Sequence, residues 1–328
     1  MRPVLKRGLL PVWRDRDTLQ IGVDSRRAVA LSGMAGAACV IGLLDGSRDR
    51  AQVIETAAEH GIPAKTTERV LDLLAAAGAL DDFPAGTLRL LPPPLRARLA
   101  AELAAASLAH RDGDGGARTL ARRLTAQIRV HGAGAVGTGI ASLLERSGIG
   151  RVTPSEPGTL RPGVALAGAG GRGKAPSGSV PSGMALPDLA ILVGRPSMDL
   201  RASLMGDGVP HLAVTADEAI GVVGPLVIPG RTACLRCLDL TRAERDPAWP
   251  LILAQLEGRE PDPQACDAPL AAAVAAQAAA QVLAFIDGAV AVDAVANGTL
   301  ELVLPGWQWR RRTWPRHPAC SCGSHAAR

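Results

Sequence analysis

The sequence predicts an α/β protein with a small α+β domain at its N terminus and a larger domain that alternates strands with helices. Three observations lead to this prediction. The chain has 328 residues, of which 47% are hydrophobic, and this length usually divides into two cores. Two short β-like runs followed by amphipathic helical patterns occupy residues 1–85. A glycine-rich loop between a strand pattern and a helix pattern then opens the second domain, 126–328.

Composition and charge exclude several classes of function. The net charge of +5 is mild, tyrosine is absent and aromatic residues make up only 2%, so neither a basic stripe nor a base-stacking platform is expected. The N terminus lacks the apolar core of a secretory signal. The most apolar window, 270–286, is interrupted by two glutamines and is expected to be a buried helix. We therefore expect a cytoplasmic protein that binds neither nucleic acid nor membrane.

The first domain is predicted from a hairpin and three helices. The runs TLQIGV and RAVALSG are separated by the turn DSR. Helical patterns follow near 34–44, 50–60 and 65–77, with Ser47 and Asp49 as candidate caps of the second. A hairpin followed by three short helices is typical of a winged-helix-like domain. A further helix near 93–111 belongs to a helical linker, 86–125.

The second domain is predicted as a mainly parallel sheet. The strand patterns are QIRVHG, GRVTPS, DLAILVG, VPHLAVT and GVVGPLVIPG. Helices are expected near 238–257 and 270–286, and a β-rich segment follows at 298–314. Residues 157–187 are rich in Gly, Pro, Ser and Ala, which predicts a flexible loop.

The loop at the start of this domain carries Gly132-x-Gly134-x-x-Gly137. It follows a strand and opens a helix, an arrangement that directs a helix N terminus at an anion and indicates a Rossmann-like unit. Glu156 lies near the position of the acid that holds a ribose. The alternative is a turn whose glycines serve only close packing. An NAD-dependent oxidoreductase is also suggested by the loop, although no His or Tyr constellation for hydride transfer accompanies it.

Four of the six cysteines form two close pairs, Cys234 with Cys237 and Cys320 with Cys322. Four thiolates without an open position describe a structural tetrahedral Zn²⁺. Such a metal would cross-link the C-terminal segment to the rest of the second domain. The alternatives are free buried thiols, or a site in which His317 or His325 replaces one cysteine. Cys39 lies in an apolar helix and is expected in a core.

The order of these features resembles the ThiF/MoeB/HesA superfamily of ubiquitin-activating-like adenylyltransferases. The stretches RTACLRCLDLTRAERDPAWP and HPACSCG are most similar to its thiazole/oxazole-modified-peptide branch, the cyclodehydratase partner proteins. Residues 1–85 resemble the PqqD-type domain that recognises leader peptides. The resemblance implies a structural zinc on the two cysteine pairs, a precursor peptide and a YcaO-type cyclodehydratase as partners, and, by analogy, a homodimer.

The sequence departs from the active members of that family at the groups that handle ATP. The stretch TPSEPG offers only Glu156 as an acid, and no Asn-x-x-Arg-Gln motif follows. Gly194 and Arg195 stand where an aspartate would hold Mg²⁺. These losses predict a protein that is defective in adenylation. The alternatives are that Arg172 or Lys174 substitutes, or that the chain is an active adenylyltransferase on a carrier-protein or peptide C terminus.

Leader recognition is expected at a strand edge near Arg27 and Leu31, with a groove wall on the third helix. The predicted wall residues are Thr67, Val70 and Leu74, and Arg26, Arg27, Lys65 and Arg69 would suit an acidic leader. The alternatives are ordinary solvated charges or a DNA-reading helix.

Cys266 precedes the Ala-rich helix and is a candidate nucleophile, because in some relatives a cysteine in this loop forms a thioester or persulfide. A helix N terminus is expected to lower its pKa. The alternative is a small buried filler.

Overall fold

The computed structural model describes residues 1–82, 91–155, 186–256, 264–288 and 294–322. The chain divides into two compact units, Met1–Arg122 and Arg123–Arg328. The predicted loop at 157–187 lies almost entirely outside the described residues, as do Glu156, Arg172, Lys174 and His325.

The N-terminal unit contains two small antiparallel sheets. Strand β1 pairs with β5, and β3 is the central strand of the sheet β2–β3–β4. The strands are β1 (Pro3–Leu5), β2 (Pro11–Trp13), β3 (Thr18–Ile21), β4 (Val29–Ser32) and β5 (Leu80–Asp82). The helices are α1 (Ala37–Gly42), α2 (Arg50–Glu59), α3 (Ala64–Ala76), α4 (Pro93–Arg98) and α5 (Ala100–His110).

Local sequence signals explain these helices. Asp49 and Gln52 form a capping box at the start of α2, as the Asp49 prediction anticipated. The apolar face of α3 packs onto α1, α2 and the hairpin β3–β4 in one hydrophobic core. Because α5 also contributes Leu108 to that core, the segment predicted as a linker is partly integrated into the N-terminal unit.

A buried charged cluster fastens α5 to the strands. Lys6, which follows β1, is only 1% exposed and donates a hydrogen bond to the Ser107 carbonyl over 2.6 Å. Its Nζ lies 3.4 Å from Asp81 on β5. The Ser107 hydroxyl completes the cluster by donating to the Asp81 carboxylate.

The second unit is α/β with a mixed sheet, which confirms the predicted fold class at this level. Its described strands lie in the order β12-β11-β10-β9-β8-β6-β7. Strands β7, β6, β8 and β9 are parallel, and β10, β11 and β12 extend the sheet in antiparallel fashion. They are β6 (Gln127–His131), β7 (Arg151–Ser155), β8 (Leu189–Val193), β9 (His211–Asp217), β10 (Ile220–Val227), β11 (Gly298–Val303) and β12 (Trp309–Thr313).

Helices cover both faces of the parallel strands. One face packs on α7 and α11, and the side chains of Ala190 and Leu192 on the other face pack with α8. Helix α11 is long and apolar enough to cross a membrane by length and composition alone. Its buried side chains pack on α7, β9 and β10. Helix α6 (Ala117–Thr125) begins in the first unit and ends in the second. The other helices of the second unit are α7 (Gly134–Arg146), α8 (Met198–Gly206), α9 (Leu235–Arg245), α10 (Trp249–Leu256) and α11 (Ala268–Ile286).

Two predicted helices are each split in two. The pattern at 93–111 breaks at Leu99, between α4 and α5. The pattern at 238–257 breaks at Asp246, whose backbone is extended at the end of α9 and which precedes Pro247, because the residue before a proline disfavours the helical conformation.

Candidate functional site

The glycine loop lies at the carboxyl edge of the parallel strands, where the strand order reverses. The chain leaves β6, passes through α7 to β7 on one side, and later returns to β8 on the other side of β6. In open α/β sheets this switch point is the place where ligands bind. The loop after β6 and the residues after β8 therefore form the two sides of a candidate cradle.

Glycine occupies each of the three loop positions for a different structural reason. Gly132 has φ 111° and a Cβ there would lie 2.4 Å from the Val193 carbonyl oxygen, so only glycine fits. A Cβ on Gly137 would meet the Gly132 carbonyl oxygen at 2.9 Å, which reflects close helix–strand packing. Gly134 has φ 81° and faces open space, so its Cα side is the part of the loop that a ligand can approach. The α7 N terminus has no side-chain cap.

The opposite side of the cradle carries a cation. Gly194 follows β8 in a left-handed conformation, and Arg195 pairs with Asp217 at the end of β9 over 3.3 Å. The carboxylate at the end of the neighbouring strand β9 is thus paired with an arginine. Sequence reasoning missed Asp217, although this acid follows the strand pattern HLAVT after a single residue and the same rule would have found it.

His131 ends β6 beside this loop and is buried. Its Nε2 has no hydrogen-bond partner among the described residues. Burial, and secondarily the charge of Arg129, lower its pKa to about 4. His131 is therefore neutral at pH 7 and lines a cavity of about 20 Å³ with residues of α8.

The structure brings the two predicted cysteine pairs together. The sulfurs of Cys234, Cys237, Cys320 and Cys322 all lie within 4.8 Å of one another. The Sγ–Sγ distances are 3.8 Å for Cys234–Cys237, 3.6 Å for Cys234–Cys320 and 3.5 Å for Cys237–Cys322. A tetrahedron with 2.3 Å metal–sulfur bonds has edges of about 3.8 Å, so the four thiols could hold a metal ion of that kind.

His317 does not join the four sulfurs. Its Nε2 lies 2.8 Å from the Glu244 carboxylate, and its Nδ1 accepts from the Ala319 backbone N–H. Both ring nitrogens are therefore engaged away from the cluster. The second histidine considered for this site, His325, lies outside the described residues.

Cys266 lies beside the end of β9, just before the Asp267 cap of α11. Burial raises its pKa, and the charges of Asp267 and Asp217 raise it further. The sequence predicted that the helix N terminus would lower the pKa of Cys266, and this direction is wrong. The Asp267 carboxylate already accepts the Leu270 N–H at that helix N terminus. A thiol with a raised pKa is a poor nucleophile at neutral pH.

In the N-terminal unit, the two outer strands of the hairpin sheet differ at their free edges. The Gly33 N–H donates to Asp17 and the Arg14 N–H donates to Thr18. Because hydrogen-bonded pairs alternate in an antiparallel ladder, Ala30 and Ser32 direct their backbone groups outward from β4. On β2 the outward residues are Pro11, which has no N–H, and Trp13. Within the described residues, β4 is therefore the edge open to an added strand.

The predicted groove residues need a correction. Leu31, Thr67, Val70 and Leu74 are each no more than 1% exposed and belong to the core, so they cannot line a surface groove in this conformation. On α3, each of the three buried residues is directly preceded by a more exposed one: Thr66, Arg69 and Leu73. Thr66 is half-buried, and Arg69 and Leu73 are exposed. They share one stripe at i, i+3 and i+7. Arg27 is engaged with the Leu108 carbonyl and Arg26 with Asp24.

Comparison with solved structures identifies the fold. A crystal structure of E. coli MccB matches with a TM-score of 0.65 at 15% identity, covering 99% of this chain and 99% of MccB. The chain has the MccB fold. The heterocyclase TruD matches with a TM-score of 0.62 at 16% identity, covering 98% of this chain but 43% of TruD. The resemblance stated from the sequence is thus confirmed at the level of the fold.

The matching structures include ligand complexes. One is of E. coli MccB with AMPCPP and MccA, at a TM-score of 0.64 and 16% identity over 98% of this chain and 100% of MccB. Another is of a heterocyclase with substrate and cofactor, at a TM-score of 0.63 and 15% identity over 98% of this chain and 39% of the heterocyclase. No protein-family model matches the sequence, and no curated protein sequence matches it.

Proposed function

We propose that this chain is a leader-peptide-binding, ThiF-like partner protein in the biosynthesis of ribosomally made peptide natural products. It binds the leader of a precursor peptide on its winged-helix-like N-terminal unit and presents the core to a separate YcaO-type cyclodehydratase. It does not adenylate the peptide itself. This role is supported by the fold shared with MccB, which has been solved with MccA, with part of TruD, and with part of a heterocyclase solved with its substrate.

The observation that carries the proposal is the open edge of β4. Ala30 and Ser32 offer unpaired backbone groups there, and both side chains are exposed, so an extended peptide can add as one more strand. Helix α3 contacts β4. Its stripe of Thr66, Arg69 and Leu73 borders Asp72, which pairs with Arg50 of α2. We therefore propose these three residues as the groove wall, in place of the buried Thr67, Val70 and Leu74.

The chemistry of the cradle supports binding without turnover. Open Gly134 and the uncapped α7 N terminus suit an anion such as a nucleotide phosphate. Adenylation also needs carboxylates that hold Mg²⁺. After β8 this chain offers Arg195, and the neighbouring Asp217 is already paired with it. ATP is therefore at most a bound ligand in this proposal.

The donor set of the four cysteines supports a structural zinc. Thiolates are ligands that Zn²⁺ prefers, and four of them leave no open position for water. The metal would join the start of α9 to the segment after β12. We assign it no catalytic step.

Peptide binding at β4 is tested with Ala30→Pro and Ala30→Val in the full chain. Proline removes the outward N–H of the edge, whereas valine keeps it and favours a strand. The probe is a fluorescent synthetic leader of a candidate precursor peptide chosen from the genes that neighbour this one. Binding should fall at least about tenfold in the proline variant and persist in the valine variant. Equal binding by both folded variants would remove β4 as the site.

Adenylation is tested by ATP–pyrophosphate exchange with Mg²⁺ and the same precursor, beside calorimetry of ATP–Mg²⁺. No exchange above background is expected. The alternative, an active adenylyltransferase on a peptide or carrier-protein C terminus, is favoured by the open cradle and by the MccB complex with AMPCPP. It predicts robust exchange that Glu156→Ala abolishes.

A further inference from the structure

Helix α10 is apolar, yet none of its residues is buried within the described part of the chain. Its sequence is WPLILAQL, and Leu251 is 65% exposed. An isolated helix of this length is marginal in water, and a helix without buried side chains receives little support from packing. Its half-buried residues are Trp249, Ile252, Leu253 and Leu256, and the first of these makes specific contacts.

Trp249, the first residue of α10, provides those contacts. Its ring lies over the Arg242 guanidinium at 4.9 Å, and its indole N–H donates to the Asp239 carboxylate over 3.3 Å. Both partners lie on α9. Cation–π stacking and a hydrogen bond thus join the start of α10 to one face of α9.

The same guanidinium continues to a second ring. Arg242 lies 5.3 Å from the centroid of Trp314, and Arg312 lies 5.2 Å from that ring. The four groups, Trp249, Arg242, Trp314 and Arg312, form one stack. It runs from α10 across α9 to the end of β12.

Trp314 rests directly on the cysteine cluster. It is 2% exposed and packs in one hydrophobic cluster with Cys234, Cys237, Cys322 and Leu238. Its indole N–H donates to the Thr299 hydroxyl and its backbone N–H to the Asn297 carbonyl. The Asn297 side chain accepts from the N–H of Ala233, next to Cys234. Trp314 therefore packs against the cysteine cluster and is hydrogen-bonded to a residue that also holds the backbone beside Cys234.

We propose that metal occupancy of the four-cysteine site latches α10 in place through the stack Trp314–Arg242–Trp249. The metal draws the two cysteine pairs together, which fixes Trp314. Trp314 then supports the Arg242 guanidinium from one side while Trp249 closes the other. Without the metal the pairs separate, the stack opens and α10 detaches from α9. This latch rests on a metal at the cysteines and does not depend on peptide binding or ATP chemistry.

Hydrogen exchange of the full chain tests the latch. The backbone amides of 249–256 are followed before and after treatment with a zinc chelator, and zinc is measured per chain. We expect exchange in α10 to become at least roughly tenfold faster on metal removal, while β6 and β8 stay protected. Unchanged exchange in α10 after complete metal loss would overturn the proposal.

Two variants separate the latch from general unfolding. Arg242→Leu removes the centre of the stack and leaves all four cysteines. It should keep the wild-type zinc content and yet show fast exchange in α10. The matched control is Arg245→Leu on the same helix, which is exposed and should match the wild type. Metal removal could unfold the whole second unit, and the Arg242→Leu variant then decides. Slow hydrogen exchange in α10 of the zinc-loaded variant would refute the latch.

Discussion

At the scale of single residues, Gly132 and Gly134 make a matched pair. Both have positive φ, but only Gly132 is crowded by the Val193 carbonyl. Gly132→Ala should lower the free energy of unfolding by roughly 3 kcal/mol or more, because strain and a backbone clash add. Gly134→Ala should cost only about 1 kcal/mol. Urea unfolding of both variants checks this, and equal costs would contradict the assigned packing role of Gly132.

His131 gives a prediction about pH. Its folded pKa of about 4 lies below the ordinary 6.5, so the unfolded state binds more protons between these values. Stability from this residue is fully present above pH 6.5 and is lost as pH falls toward 4, by up to roughly 3 kcal/mol. Arg129 and Asp207 line the same cavity. His131→Gln should flatten the pH dependence of urea unfolding in this window; an unchanged slope would show that His131 is not responsible.

At the scale of elements, the attachment of α5 depends on the charged cluster under it. Lys6→Met leaves the Asp81 carboxylate buried without its cation, and loss of one partner of a buried pair typically costs about 3 kcal/mol or more. The midpoint of thermal unfolding of the N-terminal unit should fall accordingly. The exposed pair Arg50–Asp72 provides the control, because Arg50→Met should cost less than about 1 kcal/mol.

The elements also show what a sequence can predict. The hairpin β3–β4, helices α2, α3 and α11, and the strands of the second unit were found because their apolar periods are clear. Helix α8 and strands β1, β2 and β5 were missed, the strands because three residues carry almost no period. At the site, the cysteines and loop glycines were predictable from spacing. The predicted groove residues Thr67, Val70 and Leu74 are buried, because the periodic face of α3 marks the core and not a surface.

At the scale of the whole molecule, the proposed zinc joins segments far apart in sequence. Because it would bind the folded state and not the unfolded one, the free energy of unfolding should rise by about 1.4 kcal/mol for each tenfold increase in free Zn²⁺ above the dissociation constant. Denaturant unfolding in zinc buffers measures this. Cys322→Ser should remove the dependence, and Cys266→Ser should retain it. A stability independent of zinc in the wild type would exclude the metal.

Pro11 on β2 also limits how many strands can add to the sheet β2–β3–β4. With Pro11 closing the β2 side, the described sheet β2–β3–β4 has one open edge, β4, where a strand can join. A titration should therefore saturate at one peptide per chain. If two copies paired through their β4 strands, the open edge of each sheet would be occupied. Pairing through this sheet would therefore end at a dimer and could not extend into a filament.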